Sequence, residues 1–330
     1  MRIVLVGAVE SSLAVLRTLT EERHSPVALV TLPLTKSSRH SDFVDLRPAA
    51  TSMGVPVIEV SNVNSPDAVT QMRRLEPDFM FVIGWSQICG PEFLHIPKHG
   101  CIGYHPSLLP ENRGRAVIAW TILQGLERSG GSLFWLADGV DSGDLLIQRP
   151  LALAPDETAR TLMDKHLQML PDILRQALAL LSAGNFPRIV QDSSKATYCA
   201  RRTLADGWID WTRPAREIWT LIRAAGRPYP GAFTIDRQRK LTIWAANLVN
   251  GRPFWGMPGQ IQEITPAGVV VQCGDREHVL LKLVQVDGGE ELAAASAGLK
   301  THSKLGMNQL FEAQRFEPRL FETRAQGPSS

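Results

Sequence analysis

Two short stretches of the chain hold residues able to move a proton. CIGYHPSLLPENRGRA, residues 101–116, sets His105 at the end of an apolar, strand-like run and directly before Pro106. ADGVDSGD, residues 137–144, follows a second such run, SLFWL, and carries Asp138, Asp141 and Asp144 among small residues. An imidazole beside a carboxylate can take a proton from a nucleophile and return it to a leaving group. Side chains alternate across a strand, so Gly103 and His105 share a face while Tyr104 points the other way. Residue types alone leave two accounts open: an acid–base pair, or a satisfied histidine beside an ordinary glycine-aspartate turn.

Elements that would position these loops can be read from the apolar pattern. Runs at 2–7, 27–32, 56–60, 79–83, 101–104 and 131–136 lack alternation, as expected of strands buried on both faces. Helical periodicity separates most of them, at 11–19, 68–75, 117–126 and 157–183. This order predicts an α/β fold with an open, mostly parallel, Rossmann-like sheet over residues 1–190, then a linker over 191–205. Short strands at 232–235, 241–246, 259–264, 268–272 and 279–286 predict a smaller β-rich, OB-like barrel within 206–315, before a polar tail at 316–330. Ligands of such open sheets sit beyond the carboxyl ends of the strands, where His105 falls.

Composition narrows the function classes. The 330 residues are 44% hydrophobic and 21% charged with a formal net charge of +2, a globular balance without a polybasic footprint. The four cysteines form no C-x-x-C pair, which fits a reduced, cytoplasmic setting and argues against a zinc framework. MRIVLVGA is too short and too soon followed by acidic residues for a signal peptide, and no other run nears the roughly 20 apolar residues of a membrane span. GAVESS after the first strand departs from G-x-G-x-x-G, so a nicotinamide site lacks its fingerprint.

His105-Pro-Ser-Leu-Leu-Pro, followed by Arg113-Gly114 and by Val140-Asp141-Ser142-Gly143-Asp144, resembles the 10-formyltetrahydrofolate-dependent formyltransferase superfamily. Its members include methionyl-tRNA formyltransferases, sugar-nucleotide N-formyltransferases and the hydrolase domain of 10-formyltetrahydrofolate dehydrogenase, whose wording is the most similar. GWIDWTRPAREIWTLIRA and PYPGAFT resemble the start of the C-terminal domain of methionyl-tRNA formyltransferases. The resemblance implies acyl transfer: an amine attacks the formyl carbon on N10 of the folate, and a tetrahedral oxyanion forms. By the same resemblance His105 binds the formyl oxygen and shuttles protons, Asp141 orients it, and neither a metal nor a covalent enzyme intermediate is needed. The folate co-substrate is expected along Trp85, Ser86, Gln87 and Ile88, and against Leu109, Val140 and Asp141. Gly103, Arg113 and Arg115 are the positions expected to meet an acceptor.

One departure stands out. Most transferases of this superfamily carry asparagine two positions before the histidine, where this chain has Gly103. Loss of one oxyanion donor costs about 2.7–4 kcal/mol of transition-state stabilisation, so the departure bears on the acceptor more than on the donor. The favoured reading is formyl transfer to a small amine, an amino sugar or a metabolite. Behind it stand a hydrolase releasing formate, then a methionyl-tRNA formyltransferase, which near-neutral charge disfavours, then an inactive folate-binding module.

Overall fold

A computed structural model describes residues 1–306 apart from His40 and Arg252; the expected tail at 316–330 lies outside the described residues. The chain packs as two units, Met1–Asp206 with Arg223–Pro230, and Gly207–Ile222 with Gly231 onward.

The first unit is built on β1 (Ile3–Gly7), β2 (Ala28–Thr31), β3 (Val57–Glu59), β4 (Phe79–Ile83), β5 (Gly100–His105), the short β6 (Arg113–Gly114), β7 (Arg128–Trp135), β8 (Leu145–Ala152) and the short β9 (Tyr198–Cys199). Between them run α1 (Glu10–Glu21), α2 (Arg47–Ser52), α3 (Pro66–Arg73), α4 (Pro91–Leu94), α5 (Val117–Leu123) and α6 (Ala159–Ser182). Seven strands form one sheet in the order β3-β2-β1-β4-β5-β7-β8. The first four pairings, up to β5, run parallel, and β7 and β8 close the edge as an antiparallel hairpin.

IVLVG and FMFVI are buried at every residue because helices cover both faces. On one face Ile3, Leu5, Phe79 and Phe81 meet α1 and the apolar stripe of α6 at Met169, Leu170, Ile173, Leu174, Ala177 and Leu181. On the other, Val4, Val6, Met80 and Val82 meet Met72 of α3 and Phe93 of α4. A fully buried side chain of this size contributes about 1.5–3 kcal/mol, so the two layers hold the central strands, and with them the end of β5, rigidly. The sequence pattern missed β8. From Ile147 on, its residues alternate between half-buried and exposed and include Pro150, which an edge strand tolerates.

In the second unit, β10 (Ala232–Asp236), β11 (Arg239–Val249), β12 (Ile261–Thr265), β13 (Gly268–Gln272), β14 (His278–Val286) and β15 (Glu291–Ala293) form an antiparallel six-stranded sheet. The remaining helix, α7 (Ala215–Ala225), precedes it in the chain. Trp211 is core here, 4% exposed, with its indole N–H on Thr234 Oγ1.

Residues 191–205 do not form the expected linker. They pack within the first unit, where β9 pairs in parallel with β6. No described helix is long and apolar enough to cross a membrane.

Candidate active site

The carboxyl ends of β4 and β5 open into a cavity of about 540 Å³ inside the first unit. Its walls are the loop 84–89 after β4, Gly103 and His105 of β5, Gly114 and Arg115, Phe134, and residues 136–141.

His105 is 6% exposed. Its Nε2 lies 2.7 Å from the carbonyl oxygen of Asn112. A carbonyl only accepts, so that nitrogen carries a proton and donates it. Nδ1 stands 3.5 Å from Asp141 Oδ2. The ring is thus pinned at one nitrogen and faces a carboxylate with the other, which makes Nδ1 the nitrogen able to exchange a proton. Behind it, on the opposite face of β5, Tyr104 Oη lies 2.7 Å from His166 Nδ1 on α6. Burial raises the Tyr104 pKa. It also pushes His166 down to about 4, helped by the nearby His105 and opposed by Glu157. Cys89, on the cavity wall, is no thiolate nucleophile, because burial pushes its thiol up to about 12.

Asp141 is held by a network. Its Oδ2 accepts the Gly114 N–H at 2.7 Å. Gly114 has φ +103°, and a Cβ there would lie 2.5 Å from the Cys199 carbonyl oxygen. Only glycine lets β6 pair with β9 and still present that N–H. Asp141 itself sits at φ +48°, a left-handed conformation that aspartate tolerates better than most residues. Gln191, 6% exposed, donates to the carbonyls of Asp141 and Gly143 at 2.9 and 2.6 Å. Its own carbonyl accepts from Arg113 Nε and Nη2 at 3.2 and 2.8 Å, and Arg113 Nη1 reaches Tyr198 Oη at 3.1 Å. Gln191 lies inside the supposed linker, and no local sequence signal marks it.

The other expected site residues divide. Trp85, Ser86, Gln87, Ile88 and Val140 line the cavity. The Gln87 amide turns aside, accepting from Val63 N–H and donating to the Ser61 carbonyl, and so anchors its loop. No hydrogen bond within the described residues engages the backbone N–H groups of residues 85–89, and the buried Trp85 indole N–H also lacks a partner. These donors have no partner among the described residues.

Leu109 is a correction. It is 3% exposed and outside the cavity wall, because its loop is tied inward to Ser132 and Gln148. Arg113 is likewise turned inward, 2% exposed and bound to Gln191 and Tyr198 rather than lining the cavity. Arg115 is exposed at the cavity mouth, where its guanidinium donates to the Ser86 carbonyl.

Gly103 shares the face of His105, as alternation requires, but the space beside it is filled. A Cβ there would stand 2.7 Å from Leu136 Cδ2 and 3.0 Å from the Phe134 ring.

Comparison with known proteins now decides the family. Residues 1–178 match the formyl transferase family and residues 202–299 its C-terminal domain. The chain belongs to the formyl transferase family. The methionyl-tRNA formyltransferase of Geobacter sulfurreducens is 32% identical to it over 297 residues, 89% of this chain and 92% of that protein. That of Akkermansia muciniphila is 36% identical over 299 residues, 88% and 94%. Among solved structures, the transferase is similar to HypX from Aquifex aeolicus in complex with tetrahydrofolic acid. The TM-score is 0.64 at 15% identity, covering 91% of this chain and 48% of that one. It is also similar to the N-formyltransferase of Helicobacter canadensis in complex with folinic acid and dTDP-3-aminofucose, with a TM-score of 0.65 at 17% identity, covering 85% and 98%. At these identities the solved structures establish the shared fold.

Proposed function

We propose that this transferase moves the formyl group of 10-formyltetrahydrofolate to the amine of a small acceptor. The observation that carries the reading is the His105 imidazole, fixed at Nε2 by the Asn112 carbonyl and facing Asp141 with Nδ1 at the cavity wall. The amine attacks the formyl carbon, a C–N bond forms and the carbonyl oxygen becomes an oxyanion. Asp141 and His105 take the amine proton. His105, protonated at Nδ1, stabilises the oxyanion and delivers that proton to N10 as its bond to the formyl carbon breaks. One proton therefore passes from acceptor to folate, and formylated amine and tetrahydrofolate leave. The unpartnered N–H groups of residues 85–89 and of the Trp85 indole suit the polar edge of a pterin.

A second reading, methionyl-tRNA as acceptor, is favoured by one observation: the methionyl-tRNA formyltransferases above are matched over 92% and 94% of their length. Charge supports the small acceptor instead. Residues 231–306 hold eight lysines and arginines against seven aspartates and glutamates, without the basic excess that tRNA binding favours.

Incubation with 10-formyltetrahydrofolate and either small amines or methionyl-tRNA, with formylated product, tetrahydrofolate and formate all quantified, tests both. One formyl-amine per tetrahydrofolate is expected. Formate as the sole one-carbon product would replace transfer by hydrolysis, and turnover on methionyl-tRNA alone would replace the small acceptor.

A further inference from the structure

We propose that Arg115 selects acceptor amines that carry an anionic oxygen group, a carboxylate or a phosphate, by docking that group at the cavity mouth. The inference rests on the transfer reading above and adds the acceptor's chemical class.

Arg115 is the one lysine or arginine among the described residues lining the cavity. Its backbone N–H pairs with the Cys199 carbonyl at 3.1 Å, which fixes the start of the side chain. Gly114, the residue before it, donates to Asp141, so the guanidinium springs from the segment that holds the catalytic carboxylate. It reaches the loop after β4 and donates through Nη2 to the Ser86 carbonyl, a neutral partner. Neither an ion pair nor another side-chain hydrogen bond engages it among the described residues, which leaves most of its five N–H donors unused.

Two half-buried arginines of the first unit are matched by carboxylates. Arg160 binds Glu10 and Asp164, and Arg47 binds Asp45 and Glu59. An unmatched guanidinium on a cavity wall, beside a carboxylate and an imidazole, complements a molecule with an amine at one end and an acid at the other. The amine meets His105 and Asp141, and the acid meets Arg115. A planar guanidinium recognises carboxylate and phosphate equally well, so the class covers both amino acids and amino phosphates.

The test is initial-rate kinetics on wild type, Arg115→Ala and Arg115→Lys with 10-formyltetrahydrofolate. Methionine and O-phosphoethanolamine are compared with methionine methyl ester and ethanolamine, and methionyl-tRNA is run alongside. Wild type is expected to favour each acid over its neutral counterpart about tenfold or more in kcat/KM; the carboxylate and phosphate arms tell the two anions apart. Arg115→Ala is expected to raise the acceptor KM about 10- to 100-fold, the size of one charge-assisted hydrogen bond, and to erase the preference. Its kcat and its KM for 10-formyltetrahydrofolate should stay near wild type, and Arg115→Lys should recover part of the loss.

A rise in the folate KM alone would assign Arg115 to the folate glutamate or to its loop and overturn the proposal. Formylation of acids and neutral amines at equal efficiency, or of methionyl-tRNA only, would overturn it as well, leaving formyl transfer intact. Formate with no formylated amine would remove the transfer reading and the acceptor class together.

Discussion

At the scale of the residue, the proton-handling nitrogen of His105 is defined by its neighbours. Asn112 occupies Nε2, so exchange falls to Nδ1 and the adjacent Asp141. His105→Ala is expected to lower kcat by about two orders of magnitude or more, with folate affinity retained, as befits a group acting mainly in the transition state. Asp141→Asn should follow it, while Asp138→Asn, at the exposed end of the same loop, should stay near wild type. Single-turnover rates alongside a folate binding titration check both, and equal losses at the two aspartates would misplace the base.

Gly103 makes the second residue-scale case. Leu136 and Phe134 crowd the position where an asparagine side chain would begin, so a Cβ at Gly103 requires Leu136 to move. Gly103→Asn is expected to push Leu136 aside and reduce turnover. Pairing it with Leu136→Ala should restore part of the rate. A rise in formyl transfer by the single variant would show instead that the amide enters as an oxyanion donor without disturbance.

At the scale of the element, the short pair β6 and β9 does more than its length suggests. It aligns Gly114 under Asp141 and brings Arg113 to Gln191, whose amide ties down the loop from Asp141 to Gly143. Gln191→Leu leaves a buried guanidinium and two carbonyls short of partners, a cost of about 1–3 kcal/mol for each group left unsatisfied. A lower melting temperature and a fall in kcat with little change in folate KM are expected from thermal unfolding and steady-state rates. Wild-type kcat would show that Asp141 holds its place without the bridge.

His166 on α6 gives the fold a pH dependence. Burial holds its pKa near 4 against an ordinary 6.5, so the folded chain binds this proton less readily than the unfolded one. Its contribution is complete above about pH 6.5 and is lost as pH falls from there towards 4, on the order of 3 kcal/mol at most. Urea midpoints across that window should fall for wild type and fall less for His166→Gln. Parallel curves would place the acid sensitivity elsewhere.

At the scale of the whole molecule, the order of residues in the chain and their assignment to units differ. Arg223–Pro230 returns to the first unit, where Ala224 and Tyr229 pack with Ile118, Ile122 and Leu162. A chain cut after residue 206 loses that layer, and one cut after 230 keeps it. The longer fragment is expected to unfold cooperatively at a clearly higher temperature than the shorter one in calorimetry. Equal melting temperatures would mean that the returning segment adds nothing to the core.

The sequence by itself determined what depends on local period and chain order. The runs that became β1, β4 and β5, the helix at α6, the place of His105 at a strand end and the opposite facing of Tyr104 all follow from spacing along one segment. The β-rich second half was legible for the same reason, in five of its six strands. Only the tertiary structure decided what depends on which distant segments meet. It turned Leu109 inward, buried Arg113 against Gln191, closed the space beside Gly103 with Leu136 and Phe134, and made part of the site from a stretch that reads as a linker. Polar and glycine-rich loops carry no periodicity from which such meetings could be read. Their conformations are set by hydrogen bonds to residues tens of positions away, and those bonds exist only once the sheet has brought its strand ends together.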